Sequence, residues 1–373
     1  MYDTVVIGAG IAGITTAYWL KEAGQKVLLL DKKGLLAGAS GAAGAFLSPR
    51  LGKGGPLQQI TNEAYLFALD FYSKTVPEAL FRKGLARIPK DAEDSLKFKE
   101  FEKHLNIPFT LCGSEALPFV SDETMKYGAL CFKESGFVDP ALAAKKLTEG
   151  IETVFGVEAA PVKAGGLWKI ENFRAKNIVC CTGAQRFPVD VGYLEIGGLW
   201  GERVDVKSRA EIPMTLHRRI SVSANIDGVV RIGATHVRGA AGSESEIERI
   251  NALIVEAIKM VPDLEDQLLL RIYAGRRSSV SDHFPVVGAL ADLQKAARKF
   301  NVPPKTLQPG SGEIPHIEGC YTAGCFGGRG FVFAPLMGKM LARKIVADEE
   351  VDRSVLPDRL LLRYLRRGSA RSL

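Results

Sequence analysis

The chain has 373 residues and a mass of 40.4 kDa, which is longer than most single hydrophobic cores, so we expect two domains. Apolar residues make up 46% and charged residues 24% of the sequence, a composition that excludes disordered, collagen-like and low-complexity proteins. The formal net charge is +7, and the segment 351–373 alone carries six arginines against two aspartates. This concentration of positive charge is consistent with a polyanionic partner, although many enzymes have a similar balance.

The sequence shows no signal for a membrane or for secretion. The longest uncharged stretch, 4–20, is too short to span a bilayer, and the N-terminus lacks a basic region followed by an apolar run and a cleavage site. We therefore expect a cytoplasmic protein. The cysteines form no CxxC pair and no Cys/His spacing typical of a metal site, so we expect buried, reduced thiols and no metal. They are Cys112, Cys131, Cys180, Cys181, Cys320 and Cys325.

The N-terminal residues predict a βαβ unit. The apolar segment 3–8 predicts a buried strand, 11–23 predicts a helix, and 26–30 predicts a second buried strand that ends at Asp31. The loop between the first strand and the helix carries three glycines at GxGxxG spacing. In this context the spacing is typical of a dinucleotide-binding site, and a glycine turn without a ligand is the alternative interpretation.

Each glycine of this loop has its own steric reason. Gly8 permits a tight turn, Gly10 lets the backbone approach a pyrophosphate, and Gly13 lets the helix lie against the strand. The N-terminus of the helix then binds the phosphates. Asp31, 18 positions after Gly13, stands where a carboxylate accepts hydrogen bonds from an adenosine ribose.

Later segments predict further pieces of the same domain. A loop of small residues at 38–46 directly follows the βαβ unit. The segment 177–184 predicts a buried strand that turns at glycine, and 319–324 predicts another. The second of these leads through a glycine-rich loop at 327–330 into a predicted helix at 335–347, with proline in its first turn. We therefore expect one cofactor domain assembled from separated parts of the chain.

These motifs, in this order, resemble the D-amino-acid-oxidase-like family of FAD enzymes. The resemblance also rests on 136–140, 181–183 and 275–288, and it covers nearly the whole chain. It implies FAD as the cofactor and an α/β fold, in which a Rossmann-like FAD-binding domain is interleaved with an α+β substrate domain built on a mixed, largely antiparallel sheet. The implied boundaries are 1–80, 137–186 and 271–350 for the FAD-binding domain, 81–136 and 187–270 for the substrate domain, and 351–373 for a basic C-terminal tail.

The resemblance also implies which residues bind the cofactor. They are Gly8, Gly10, Gly13, Asp31, Ala39, Ser40, Gly41, Thr182, Gly183, Gly327, Gly328, Arg329 and Gly330. In the family an amine next to a carboxylate is oxidised: a hydride leaves the carbon bonded to nitrogen for the flavin, and the resulting imine is hydrolysed. The cofactor performs the difficult step, and the protein orients the substrate.

Two arginines are the catalytic candidates. Arg277 matches the family's position for a guanidinium that forks onto the substrate carboxylate, and Arg329 lies in the loop expected near the flavin. The alternatives are that Arg277 pairs with a structural carboxylate and that Arg329 holds its own loop. Arg276 precedes Arg277 on a predicted strand, so its side chain is expected to point the other way.

Within the family, 39–49, 277–288 and 327–335 most resemble the FAD-dependent oxidase half of the bifunctional tRNA 5-methylaminomethyl-2-thiouridine biosynthesis protein. The segment 136–140 is more typical of the general family, and Gly328 stands where the tRNA branch commonly has serine. Because the dinucleotide motif begins near residue 5, we expect no methyltransferase half, and methylation would require a separate protein downstream.

The wobble uridine of the tRNA branch carries an N-substituted glycine, which is chemically close to sarcosine. We predict oxidative removal of its carboxymethyl group, with tRNA as the substrate. A small-molecule oxidase of glycine, sarcosine or D-amino acids is the first alternative, and a flavin-binding regulatory protein with a decayed site is the second. A tRNA enzyme needs a basic surface, and the C-terminal arginines offer one unless they belong to an ordinary solvated helix. These are Arg359, Arg363, Arg366, Arg367 and Arg371.

Overall fold

The computed structural model describes residues 1–238, 247–300 and 303–370. Within them lie nine α-helices, and short 3₁₀ turns occur at Pro77–Ala79, Ser114–Ala116, Gly192–Leu194 and Pro262–Asp266. The helices are α1 (Ile11–Glu22), α2 (Pro56–Thr75), α3 (Ala92–Glu102), α4 (Asp122–Met125), α5 (Pro140–Leu147), α6 (Ile247–Met260), α7 (Leu293–Lys299), α8 (Gly330–Ala347) and α9 (Asp358–Ala370).

The described residues also form twenty β-strands, arranged in three sheets. The strands are β1 (Tyr2–Ile7), β2 (Val27–Asp31), β3 (Phe46–Leu47), β4 (Leu80–Phe81), β5 (Leu85–Arg87), β6 (Thr110–Cys112), β7 (Ala129–Phe132), β8 (Gly136–Val138), β9 (Glu152–Phe155), β10 (Val162–Ala164), β11 (Leu167–Ile170), β12 (Phe173–Cys180), β13 (Gly197–Lys207), β14 (Thr215–His217), β15 (Ser221–Val222), β16 (Val229–Gly233), β17 (Val237–Arg238), β18 (Leu268–Ser279), β19 (Val286–Ala291) and β20 (His316–Gly324).

The chain forms two compact units, each built from separated segments. Unit 1 contains Met1–Gly38, Ala144–Gly198 and Arg277–Leu373, and unit 2 contains Ala39–Ala143 and Leu199–Arg276. These boundaries differ from the predicted ones mainly at 39–80, which belongs to unit 2. The reason is that β3 and β4 both pair with β8 in a small antiparallel sheet. No local sequence pattern predicts this pairing.

Unit 1 is built on a sheet whose centre is parallel. β1 lies between β2 and β12, and β20 runs parallel to β12. The sequences of these strands are nearly continuous apolar segments because both faces of the sheet are buried. Val5, Leu28 and Ile178 are fully buried in the core of this unit.

Two helices of unit 1 lie against each other at very short range. The Thr15 hydroxyl of α1 donates to the Ala334 carbonyl of α8 at 2.9 Å, and Trp19 Nε1 donates to the Pro335 carbonyl at 2.9 Å. A Cβ atom on Gly338 would lie 3.0 Å from the Thr15 backbone. α8 begins at Gly330 rather than at Pro335 as predicted, because the apolar first turn is buried and this packing offsets the proline's missing N–H.

Unit 2 is built on a mixed sheet in which most neighbours are antiparallel. Its strand order is β17-β13-β16-β15-β14-β5-β7-β6, and β18 also pairs with β13. Along this order of described strands, β14 and β5 are parallel. Gly136 opens β8, where a Cβ atom would lie 2.0 Å from the Phe81 carbonyl oxygen. The family-like segment 136–140 therefore has a steric reason for its glycine.

One expectation about the cysteines is wrong. A disulfide joins Cys112 of β6 to Cys131 of β7, where we had expected reduced thiols. The two strands are antiparallel neighbours, which brings the side chains together, and a separation of 19 residues in sequence gave no sign of it. The remaining four cysteines are free and buried, as expected.

The C-terminal helix α9 is part of unit 1 rather than a separate tail. Its four leucines, Leu360, Leu361, Leu362 and Leu365, are buried in the core of unit 1. The arginines between them mostly have intramolecular partners: Arg359 and Arg363 contact Asp282, Arg366 donates to the Pro304 and Leu307 carbonyls, and Arg367 pairs with Glu195. Arg371 lies outside the described residues. These arginines thus help to dock α9, while Arg363 and Arg367 remain 40% and 49% exposed.

The Asp282 carboxylate is the centre of this docking. Burial opposes its ionisation, but hydrogen bonds and charge from Arg359 outweigh burial and lower its pKa below the ordinary 3.8. Because the pKa of Asp282 is lower in the folded state, its ionised carboxylate stabilises the fold at pH values above the ordinary pKa. That stabilisation is lost as the pH falls through the pKa of the folded state.

We therefore expect Asp282→Asn to destabilise the protein by about 2 kcal/mol at pH 7, because charge-assisted hydrogen bonds are lost. The difference from wild type should be constant above about pH 4 and should shrink at lower pH. Chemical denaturation at several pH values measures both effects. The exposed Asp263→Asn is the control, and a loss that is the same at every pH would contradict the ionic role of Asp282.

Candidate cofactor site

The parallel strands of unit 1 bring three predicted loops to one edge of the sheet. Ile7 at the end of β1 lies beside Cys180 at the end of β12, and Cys180 lies beside Thr322 near the end of β20. Since parallel strands end at the same edge, the loops that follow them are neighbours. The Cys181 N–H donates to the Ile7 carbonyl at 2.8 Å, which ties the first two loops together.

The glycine loop leaves no room for other side chains. Gly8 has a φ of +107°, and a Cβ atom there would lie 2.4 Å from the Cys181 carbonyl oxygen. A Cβ atom on Gly13 would lie 1.9 Å from the Gly8 oxygen, so glycine is required for α1 to approach the turn. Gly10 is the N-cap of α1 and has no side chain to cap the helix. The loop therefore has the close backbone approach predicted from its sequence.

Two helix N-termini meet at this edge. A Cβ atom on Gly330, the first residue of α8, would lie 3.2 Å from Ile11 Cγ2 in the first turn of α1. Neither helix has an acidic residue in its first turn or a side-chain cap. Helix N-termini carry partial positive charge and attract phosphate groups, so this edge suits the pyrophosphate of a dinucleotide.

Asp31 has a structural task in addition to the predicted one. Its Oδ2 atom accepts the Ala9 N–H at 2.8 Å, and Oδ1 accepts the N–H groups of Lys33 at 2.7 Å and Gly34 at 3.0 Å. The carboxylate thus fixes the turn between Gly8 and Gly10. One lone pair of Oδ2 remains for a ribose hydroxyl, because an ionised carboxylate has about four acceptor sites.

Thr182 provides the clearest sign that a ligand belongs here. Its Oγ1 atom is buried and has no hydrogen-bond partner among the described residues. The next residue, Gly183, has a φ of +63° and open space around its Cα. A buried hydroxyl without a partner is costly unless a ligand or water satisfies it. With the glycine loop and the two helix ends, this hydroxyl shows that unit 1 fits FAD.

The second glycine-rich loop adjoins the strand that carries Arg277. The Gly327 N–H donates to the Ser278 carbonyl at 2.9 Å, and space is open around both Gly327 and Gly328. Arg277, at the preceding position of β18, is half-buried, and burial lowers its pKa. Arg276 is exposed, which agrees with side chains alternating along the strand. Arg329 is the N-cap residue of α8.

The remaining predicted cofactor residues belong to unit 2. Ala39 lies directly against Gly275, where a Cβ atom would come within 2.7 Å of the Ala39 Cα. Ser40 and Gly41 follow in the same turn. Unit 1 therefore contains all the predicted cofactor-binding residues except Ala39, Ser40 and Gly41.

Sequence reasoning missed a group of buried charges on the sheet of unit 2. Arg203 and Asp205 on β13 form an ion pair at 3.3 Å, and Arg231 pairs with Asp139 at 2.8 Å. Arg203 is only 3% exposed. The available signal was the alternation of charged and apolar residues in 203–207, which indicates a sheet face that carries charge.

The family assignment rests on nearly the same span as these motifs. A family model described as DAO, FAD dependent oxidoreductase, matches residues 3–344. The chain belongs to this family. The predicted FAD-dependent oxidoreductase activity and the predicted cofactor are thereby confirmed. The described residues contain no group of three or more His, Cys, Asp or Glu side chains that could hold a metal ion, and none of the described helices is long and apolar enough to cross a bilayer.

Curated relatives include two proteins that are named tRNA 5-methylaminomethyl-2-thiouridine biosynthesis bifunctional protein. The one from Methylobacillus flagellatus is 29% identical over 97% of this chain and 59% of its own length. The one from Campylobacter concisus is 24% identical over 98% of this chain and 60% of its own length. The chain thus spans about three fifths of these relatives.

Solved structures with the same fold include oxidases and dehydrogenases. Glycine oxidase from Bacillus cereus superposes with a TM-score of 0.77 at 18% identity, over 94% of this chain and 96% of that one. L-proline dehydrogenase from P. horikoshii gives a TM-score of 0.75 at 18% identity, over 98% of both chains. These similarities confirm the predicted fold class, a mixed α/β protein with a largely antiparallel second sheet.

We expect Thr182→Val to weaken FAD binding about 3- to 10-fold, because the isosteric side chain removes a buried hydroxyl that FAD would satisfy. Titration of the apoprotein with FAD, followed by flavin fluorescence, measures the effect. Thr153→Val on β9 is the matched control, since its hydroxyl makes no hydrogen bond within the described part of the chain. Wild-type affinity in Thr182→Val would show that the hydroxyl does not face the cofactor.

Proposed function

We propose that the protein oxidises a secondary amine next to a carboxylate, and that its substrate is the carboxymethylaminomethyl group of a tRNA wobble uridine. The observation that supports this most directly is the half-buried Arg277, one residue before the Ser278 carbonyl that receives the Gly327 N–H. A guanidinium binds a carboxylate through two parallel N–H groups. A carboxylate held beside the cofactor loops orients the adjacent C–N bond for oxidation.

The reaction needs no metal and little acid–base chemistry from the protein. Bound FAD supplies the acceptor for a hydride from the carbon between the nitrogen and the carboxylate. Loss of that hydride converts the C–N single bond to an imine, and water cleaves the imine to a primary amine and glyoxylate. The amine must be neutral to lose hydride, so its proton passes to solvent beforehand.

Arg277 would hold the substrate throughout this sequence. Its guanidinium remains charged at neutral pH, and partial burial strengthens its attraction for a carboxylate because fewer water molecules screen the pair. Arg329, the N-cap residue of α8, would add positive charge that stabilises negative charge on a bound cofactor. The remaining proposed cofactor-binding roles are those of the glycine loops, Asp31 and Thr182, and of Ala39, Ser40 and Gly41.

The choice of tRNA rests on the relatives that cover this chain almost completely. Their shared name refers to a tRNA modification, and they match 97–98% of this chain at 24–29% identity. The chain spans about three fifths of their length, and we propose that a methyltransferase acts on the primary amine product. A small-molecule oxidase is the alternative, since free sarcosine presents the same carboxylate and C–N bond.

Substitution of Arg277 tests the chemistry. Arg277→Ala should retain FAD and should lower kcat/KM by the equivalent of about 2–4 kcal/mol, because a charge-assisted fork is lost. Arg277→Lys should recover only part of the loss, since lysine lacks the planar fork. Arg276→Ala, the exposed neighbour on the same strand, is the control. Wild-type kcat/KM in Arg277→Ala would move carboxylate binding elsewhere, with Arg329 as the next candidate.

Deletion of the protein tests the substrate. Mass spectrometry of tRNA from cells that lack it should show the carboxymethylaminomethyl group accumulating on wobble uridines. The wild-type gene should reverse the accumulation, and Arg277→Ala should not. Unchanged tRNA, together with flavin reduction by free sarcosine or glycine, would favour the small-molecule oxidase. Unchanged tRNA and a flavin that no N-substituted glycine reduces would favour a decayed site.

A further inference from the structure

Two arginine side chains of unit 2 lie over the ring of one tyrosine. The Arg203 guanidinium carbon lies over the Tyr273 ring at 4.0 Å from its centroid, and that of Arg271 lies over the same ring at 4.9 Å. We call these residues the Arg–Tyr–Arg cluster. Cation–π contacts of this kind are stabilising on an exposed surface and stronger where water is excluded.

The exposure of the cluster increases from one end to the other. Arg203 is only 3% exposed, Tyr273 is half-buried and Arg271 is exposed. Arg203 is held in place because it donates to the Ala43 carbonyl and pairs with Asp205. Ala43 ends the turn that contains Ala39, Ser40 and Gly41. The cluster therefore leads from that turn to the surface of unit 2.

The strand that carries the outer part of the cluster is itself exposed. β18 pairs with β13 and with no other strand of the described chain. Side chains alternate along it, so Arg271 and Tyr273 share one face with Leu269, which is 47% exposed. Arg271 forms no ion pair within residues 1–238, 247–300 and 303–370, and its exposed side chain can be reached by a ligand.

We propose that Arg271, which lies over the Tyr273 ring, stacks on an unpaired base of the tRNA anticodon loop. This inference rests on the proposed function. Unstacked bases of single-stranded RNA are bound on aromatic rings and on guanidinium planes. Arg271 contacts the base and also neutralises a phosphate, while Tyr273 and Arg203 are positioning residues.

A cluster with a purely structural role would not discriminate between forms of RNA. A duplex keeps its bases stacked inside the helix, so it offers phosphates but no free base to Arg271. A single-stranded loop offers both. The base-stacking contribution should therefore appear with tRNA and be absent with a plain RNA duplex, whereas the phosphate contribution should appear with both.

The test measures how tightly the FAD-loaded protein binds tRNA that was isolated from cells lacking the protein. Binding is followed by fluorescence anisotropy at several salt concentrations. Arg271→Lys keeps the charge and loses the plane, so affinity should fall on the order of 10-fold with an unchanged salt slope. Arg271→Ala should also lower the slope by about 0.7, the value for one phosphate of a single strand. Duplex binding should change only in Arg271→Ala.

Variants of Tyr273 separate positioning from folding. Tyr273→Leu should weaken tRNA binding about as much as Arg271→Lys, without changing the salt slope. The reason is that the Arg271 guanidinium is no longer positioned by the aromatic ring. Tyr273→Phe should bind like wild type, since the hydroxyl makes no hydrogen bond in the described structure. Arg174→Ala, an exposed strand arginine of unit 1, is the matched control for loss of one charge.

Three outcomes would overturn this inference in distinguishable ways. If wild type binds tRNA and both Arg271→Lys and Tyr273→Leu bind it equally well, the cluster does not contact RNA and the proposed function stands. If wild type shows no preference for its tRNA over duplex RNA at any salt concentration, the tRNA substrate itself is wrong. An equal loss in tRNA and duplex binding for Tyr273→Leu would show a general structural effect instead.

Discussion

The parallel register of β1, β12 and β20 is the constraint on which the cofactor site depends. It places Ile7, Cys180 and Thr322 side by side, so three loops that are far apart in sequence meet at one edge of the sheet. The steric requirement at Gly8 follows from this closeness, whereas that at Gly13 comes from the turn itself. Gly8 must lack a Cβ because the Cys181 carbonyl is already there, and Gly13 must lack one because α1 crosses directly above the turn.

The parts of the fold that could be predicted from the sequence are those in which a local pattern has a single steric or electrostatic cause. The spacing of Gly8, Gly10 and Gly13, the acidic residue at the end of β2 and the glycine-rich turn before α8 belong to this class. The unit boundaries do not, because residues 39–80 are assigned by the pairing of short strands with β8. Strands of two residues carry no readable period, and a helix such as α2 is compatible with either unit.

The positive charge of α9 shows a similar limit to what can be predicted from the sequence. The arginines of α9 are counted correctly in the sequence, but a count does not tell which of them already have partners. Asp282 lies on a turn about 77 residues before Arg359, and the Pro304 and Leu307 carbonyls are backbone groups that composition cannot reveal. Docking the leucines of α9 gives these arginines intramolecular partners, but only two carboxylates, Asp282 and Glu195, offset their charge.

If Arg277 binds the substrate carboxylate as proposed, substrate choice depends on groups other than this arginine. A guanidinium that binds a carboxylate treats sarcosine and a carboxymethylated uridine alike, because the atoms it contacts are the same. Discrimination in favour of a nucleotide requires contacts with the base or the phosphate, which sarcosine lacks. In unit 2, a fixed arginine, a half-exposed ring and an exposed arginine are already stacked, so little side-chain entropy remains to be lost on binding. A preformed cation–aromatic surface is the kind of device that separates the two substrates without altering the oxidation they share.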